Sequence, residues 1–157
     1  MEHSVVLIKP DALQRGLVGE IIHRFERKGL QLVGIKMLSL DDPILDQWYG
    51  HHKDKPFFAG LKNYMTSSPV VAMLWAGVEA VSTVRRLTGI TKGREAETGS
   101  IRGDFGMSQQ LNLIHASENA EIAKKEEKLI FKPQEIFAYP QSVSLHIYTK
   151  EELEEIK

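Results

Sequence analysis

In the stretch SIRGDFGMSQQLNLIHASENAEIAKKEE, Ser100 to Glu127, one imidazole, His115, stands at the end of a short apolar run. A segment of helical periodicity follows it, in which Ile122, Glu126, Leu129 and Ile130 fall at i, i+4, i+7 and i+8. Those positions share one helix face, so Glu126 lies on the stripe expected to pack inward. A buried carboxylate needs a partner, and the nearest by topology is the histidine on the strand feeding that helix. A carboxylate bonded to one ring nitrogen fixes the tautomer and leaves the other nitrogen free to attack or to accept a proton. The alternative is that Glu126 sits at the edge of the stripe and faces water, with His115 a structural residue. A metal site is disfavoured: His51 and His52 are adjacent, His3, His23 and His146 are scattered, and no two histidines share ligand spacing.

A set of cations surrounds this pair in sequence. Lys9 lies just past the first apolar run, Arg85 and Arg86 close a helical segment, and Lys92, Arg94 and Arg102 lie in or after a glycine-rich stretch with Thr91 and Ser100. Basic side chains with hydroxyl and backbone N–H donors suit a polyphosphate. Each alone also reads as a solvated surface group. No GxxxxGK[ST] loop and no kinase-type glycine loop or HRD triplet occurs, so phosphate chemistry here would use neither of those solutions.

The elements that position these groups follow from periodicity. Ser4–Ile8 is a short β-branched run expected as a buried strand. Val18, Ile21, Ile22 and Phe25 repeat at helical spacing up to a stop at Gly29. A strand is expected over Gln31–Leu38, then a helix with Asp42 as N-cap and Pro43 as its first residue. Pro56 repeats that device ahead of Phe57, Phe58, Leu61, Tyr64 and Met65. PVVAMLW reads as a third strand and VEAVSTVRRL as a helix. TGITKGREAETGSIRGDFG, with five glycines, reads as a long loop, LNLIHAS as a fourth strand, and Ala120–Ile130 as a helix. The tail TKEELEEIK is expected as a terminal helix. Strands and helices in this order allow an α/β or an α+β sandwich, and periodicity does not choose between a parallel and an antiparallel sheet.

Composition narrows the field. The 157 residues suit one domain, 1–157, and 42% hydrophobic with 26% charged residues is ordinary for a soluble protein. The chain contains no cysteine, which excludes disulfides, thiol nucleophiles and thiolate metal sites. MEHSVVLIKPDA lacks a basic lead and a long apolar stretch, so neither a signal peptide nor a membrane span is expected and the cytoplasm is the default location. A net charge of −1, from 20 basic and 21 acidic residues, disfavours nucleic acid as a partner. It leaves room for a local cationic pocket.

NLIHASE closely resembles the N-x-x-H-[G or A]-S-D signature of nucleoside diphosphate kinases. IKPDALQRGLVGEII, HKDKPFFAGL, SSPVVAMLW and GSIRGDF resemble further blocks of that family, in order and in register over nearly the whole chain. The resemblance implies an α+β ferredoxin-like sandwich, a four-stranded antiparallel sheet flanked by helices. It implies reversible transfer of a γ-phosphate from a nucleoside triphosphate to a nucleoside diphosphate, with Mg2+ carried on the nucleotide. The mechanism implied is ping-pong, through a phosphohistidine at His115, with broad base tolerance. A homo-oligomer, hexamer or tetramer, is also implied.

Carried over position by position, Lys9 would meet the sugar hydroxyl and the transferring phosphoryl group, and Tyr49 would position that lysine and the phosphates. Phe57 would stack on the base. Arg85, Thr91 and Arg102 would grip the phosphates, Asn112 would bind the ribose, and Glu126 with Ser117 nearby would orient His115. His52 matches a position that touches phosphate in some relatives, whereas Arg86, Lys92 and Arg94 carry no role in the family. Glu118 replaces the signature aspartate, at an expected helix cap. Lys55 replaces an arginine, and the loop TKGREAETGS lacks two prolines common in relatives, a change expected to bear on subunit contacts.

Overall fold

The computed structural model describes residues 1–155; the last two residues of the expected tail helix, Ile156 and Lys157, lie outside them. Four strands form one sheet: β1 (Glu2–Ile8), β2 (Gln31–Leu38), β3 (Val70–Gly77) and β4 (Ile114–Ala116), in the order β2-β3-β1-β4. Every pairing is antiparallel. That settles the strand direction that periodicity left open. The helices are α1 (Pro10–Gln14), α2 (Val18–Lys28), α3 (Asp42–Tyr49), α4 (Phe58–Met65), α5 (Ala80–Thr88), α6 (Ile101–Phe105), α7 (Ala120–Ile130) and α8 (Lys150–Glu155).

Alternation along the central strands builds two cores. Val6 and Ile8 of β1 and Val71, Met73 and Trp75 of β3 face one side, against Ile21 and Phe25 of α2 and Val84 of α5. Val5, Leu7, Ala72 and Leu74 face the other, against Leu45 and Trp48 of α3, Met65 of α4 and Ile130 of α7. With both faces covered, β3 is buried at all eight positions, so its sequence runs apolar without alternating. The sheet order and the helices on it make this a ferredoxin-like α+β fold.

Local signals account for most boundaries. Gly29 ends α2 with φ +100, the left-handed C-cap that a glycine adopts without strain. The N-cap of α3 is Asp41, whose carboxylate accepts from Ile44 N–H at 2.9 Å, so Asp42 and Pro43 are the first two helical residues and the expected cap lies one residue too late. α1 forms where a break was expected: Pro10 at its first position needs no N–H partner. The glycine-rich stretch is also not all loop. It holds a 3₁₀ turn at Gly93–Glu95 and helix α6, capped by Ser100 Oγ accepting from Gly103 N–H at 3.0 Å.

Candidate functional site

β4 carries the histidine. Its register pairs His115 with Leu7, so the imidazole projects onto the face shared by Leu7, α3 and α7. Glu126, one turn from the end of α7 and only 6% exposed, meets it there: His115 Nε2 and Glu126 Oε1 are 2.7 Å apart. The other carboxylate oxygen accepts from Ser117 O–H at 2.6 Å, and Ser117 Oγ itself accepts from Val5 N–H at 2.9 Å. Glu126 therefore faces inward and is satisfied, which removes the solvent-facing alternative. Because the carboxylate accepts, Nε2 holds the ring hydrogen and Nδ1 keeps its lone pair. Trp48 stands edge-on to the imidazole at 5.1 Å and Tyr49 at 6.3 Å, fixing the ring plane from the α3 side.

The cations converge on the same place. A cleft of about 750 Å3 is lined by Lys9, Tyr49, His52, Arg85, Thr91, Arg102, Asn112, His115 and Glu126, a volume in the range of small-ligand sites. Lys9 enters from the end of β1 and donates to Asn112 Oδ1 at 2.7 Å; the Asn112 amide in turn donates to Thr91 O at 3.2 Å and Gln109 O at 2.8 Å. Burial, aided by the nearby charge of Arg102, brings the Lys9 ammonium down to about 7, with Asp11 opposing the shift. Arg102 on α6 is tied by three backbone carbonyls: Nε to Asn112 O at 3.1 Å, and its terminal nitrogens to Gly89 O at 2.9 Å and Ile114 O at 2.5 Å. Burial and then Arg85 lower its guanidinium to about 10, so it stays charged at neutral pH.

Four buried polar atoms on residues that line this cleft have no hydrogen bond among the described residues: Trp48 Nε1, the Tyr49 hydroxyl, His52 Nδ1 and Thr88 Oγ1. Burial and the charge of Glu126 push the Tyr49 phenol upward, so it remains a donor. Unpaired buried polar atoms are costly, and at a cationic cleft they mark where a polar ligand would complete the network.

Some expected residues stand apart. Phe57 does not line the cleft; it is 49% exposed, with its ring 5.4 Å from that of His52, which does. Ser117 lies beneath the cleft wall, behind Glu126. Of the cations without a family role, Lys92 pairs with Glu95 at 2.5 Å while Arg86 and Arg94 are exposed. Glu118 does not cap α7; Asn119 does, accepting from Ile122 N–H at 2.9 Å. Sequence reasoning passed over Trp48, although its i, i+3, i+4 spacing with Ile44 and Leu45 marked it as inward-facing.

Fold and cleft together define a class: a ferredoxin-like α+β enzyme with an oriented histidine among cations suited to phosphate. The comparisons with known proteins make it specific. The sequence model of the family described as nucleoside diphosphate kinase matches residues 2–136. The nucleoside diphosphate kinase of Parabacteroides distasonis is 49% identical over 152 residues, covering 97% of this chain and 99% of that protein. That of Staphylothermus marinus is 50% identical over 135 residues, 86% of this chain and 96% of its own. Among solved structures, a halophilic nucleoside diphosphate kinase from Halobacterium salinarum, determined in complex with CDP, superposes with a TM-score of 0.92 at 41% identity, covering 94% of this chain and 99% of that one. A Babesia bovis family protein gives 0.91 at 43% identity, with 94% and 100% covered. The chain belongs to the nucleoside diphosphate kinase family, whose members are phosphotransferases.

Proposed function

We propose that the cleft transfers the γ-phosphate of a nucleoside triphosphate to a nucleoside diphosphate through a phosphohistidine at His115. The observation that carries this reading is the 2.7 Å bond from His115 Nε2 to a buried, doubly engaged Glu126. In this reading Nδ1, the ring nitrogen not bonded to Glu126, is the attacking atom. The Nδ1 lone pair forms a bond to the γ-phosphorus, the bond from that phosphorus to the β,γ-bridging oxygen breaks, and the diphosphate leaves with the electron pair. Glu126 offsets the positive charge left on the ring. A second diphosphate then binds in the same place, its terminal oxygen attacks the phosphorus, and the P–N bond breaks to restore the free imidazole. One cleft serves donor and acceptor alike, which makes the scheme ping-pong.

In this scheme Arg102, Arg85 and Thr91 hold the phosphates. Arg102 is already positioned by three carbonyls, and its two remaining N–H groups are available to ligand. Lys9 meets the transferring phosphoryl group and the sugar hydroxyl, and Asn112, bonded to Lys9, binds the ribose. Tyr49 gives its unused hydroxyl to the phosphates or the lysine. Phe57, at the rim, offers an exposed ring on which any base can stack, which gives base tolerance. Glu126, the cleft's buried carboxylate, is committed to His115 and Ser117, and the described residues include no group of three or more His, Cys, Asp or Glu placed to hold a cation. In this reading Mg2+ would arrive on the nucleotide phosphates, where it would neutralise charge on the transferring group.

The β2 edge strand exposes Ile35 and Met37, and the glycine-rich segment exposes Ile90. These support assembly into a homo-oligomer, tetramer or hexamer, which light scattering resolves. No helix of the described residues is long and apolar enough to cross a membrane; a cytoplasmic location is our reading. The chemical step is tested with γ-labelled ATP and Mg2+. An acid-labile, alkali-stable label is expected on the protein and none on His115→Ala; a label that persists in that variant would refute the assignment.

A further inference from the structure

The corner that leads into β4 is strained. Leu113 has φ +73, a left-handed value that a side chain disfavours, and it is fully buried. Ile114 N–H donates to Asn112 O at 2.8 Å, across one residue, which with that φ makes a tight three-residue turn of the rare, strained kind. Such a turn persists only where its surroundings hold it. Its two flanks are functional in the reading above: Asn112 receives the Lys9 ammonium, and His115 follows one residue after the turn.

Asp11, on α1, supplies the hold. One carboxylate oxygen accepts from Leu113 N–H at 3.1 Å, and the other accepts the hydroxyl of Tyr64 on α4. From the same segment, Lys9 N–H donates to Leu113 O at 2.8 Å. Both backbone groups of the strained residue are thus held by residues 9 and 11. Tyr64, pushed upward by burial and by that carboxylate, stays protonated and keeps donating. Arg102 completes the frame by donating to the carbonyls of Asn112 and Ile114 on either side of Leu113.

We propose that Asp11 is a positioning residue: its carboxylate clamps the Asn112–Leu113–Ile114 turn to α1 and α4, and so sets Asn112 and His115 relative to the nucleotide. The clamp acts on the phosphotransfer reading given above and rests on it. Asp11 has a second effect through charge. Lys9 is faced by Arg102 from α6 and by Asp11 from α1, with Asn112 bonded to it, while Tyr49 of α3, Arg85 of α5, and His115 and Glu126 line the same cleft. Among these, Asp11 favours the ammonium and Arg102 opposes it.

Three variants separate geometry from charge. Asp11→Asn keeps an oxygen for Leu113 N–H, removes the charge and turns an amide N–H donor toward the Tyr64 hydroxyl; Asp11→Ala removes charge and both acceptors, and Tyr64→Phe removes the outer anchor and leaves the charge. Single-turnover phosphorylation of His115 and the pH profile of kcat/KM for the donor nucleotide, which reports the free enzyme, are measured for each. Asp11→Ala is expected to lose about tenfold or more in the phosphorylation rate with a smaller change in nucleotide affinity. Asp11→Asn is expected to keep most of the rate at its optimum while its alkaline limb moves to lower pH. Tyr64→Phe should lower the rate modestly with the limb in place.

A role confined to stability would lower the melting temperature of Asp11→Ala and leave both the rate per folded molecule and the limb unmoved; that result overturns the proposal. Should Asp11→Ala not fold, a phosphorylation rate per folded molecule of Tyr64→Phe equal to the wild type's overturns it instead. Failure of the underlying chemistry shows separately, as labelling that survives His115→Ala.

Discussion

Replacing Lys9 by methionine tests whether the cleft holds a lysine that titrates near neutrality. In the unfolded chain this ammonium loses its proton at 10.5, and in the folded protein at about 7. Between those values the unfolded state binds more protons, so the stability of the wild type rises with pH across that window. Below pH 7 both states are protonated, and the full penalty of a buried, Arg102-facing charge is present and constant. Integrated between pH 7 and pH 9, the linkage amounts to roughly 2 kcal/mol. Methionine cannot titrate. It also leaves Asn112 Oδ1 without its donor, but that loss does not depend on pH.

The assay is urea denaturation of both proteins without nucleotide, at pH 7 and pH 9 and at one protein concentration. The difference in unfolding free energy, wild type minus variant, should grow in favour of the wild type by about 2 kcal/mol from the lower to the higher pH. Effects of every other titrating group shared by the two proteins cancel in that difference. A pH-independent difference would refute the reasoning, because it would mean that Lys9 carries its proton throughout in both states. The variant should also be inactive at either pH.

Glu126→Gln should slow single-turnover phosphorylation roughly a hundredfold through loss of tautomer control, with the fold retained; an unchanged rate removes Glu126 from the mechanism. Arg102→Lys should destabilise the protein by about 3 kcal/mol in urea, since an ammonium cannot serve three carbonyls placed for a guanidinium. Phe57→Ala should raise KM about tenfold, and equally for all bases; an effect on purines alone contradicts indiscriminate stacking. Gly103→Ala drives a methyl group into the Glu97 carbonyl. It should cost about 2 kcal/mol or more and weaken nucleotide binding as Arg102 shifts, both read from one titration calorimetry and denaturation series.

How far the sequence exposed this arrangement depended on the range of each interaction. The His115–Glu126 pair was legible because both residues lie on regular elements joined by a short connection, so spacing alone brought them together as one of two readings. Lys9 and Arg102 could be suspected as cations near phosphate, but neither the Lys9–Asn112 bond nor the three carbonyls around Arg102 has a local pattern; they join residues that only the sheet order β2-β3-β1-β4 brings close. α6 was hidden because five residues are too few to show a period, and its glycines read as loop. Gly103 is in fact required by a close approach of backbone, not by flexibility. Asp11 was invisible for a further reason: its two partners are a backbone N–H and a phenol more than fifty residues away.

The same long-range contacts explain how a chain of net charge −1 presents a cationic cleft. Lys9, Arg85 and Arg102 line one cleft, where Arg85 weighs on the buried Arg102 and Arg102 on the buried Lys9. Without ligand the cluster relieves that cost by letting Lys9 approach neutrality, the least costly proton in the site to lose. If the proposed site binds nucleotide, a triphosphate's charges should favour the ammonium, so binding is expected to take up a proton at Lys9 in the pH range just above 7. A diphosphate, with fewer anionic oxygens, should take up less, and the longer phosphate chain is then expected to be held more firmly without any residue that counts phosphates. Calorimetry in buffers of different ionisation heat reads this directly. Proton uptake at pH 8 should accompany ATP more than ADP and vanish in Lys9→Met, and equal uptake for the two nucleotides would show that the lysine is not what distinguishes them.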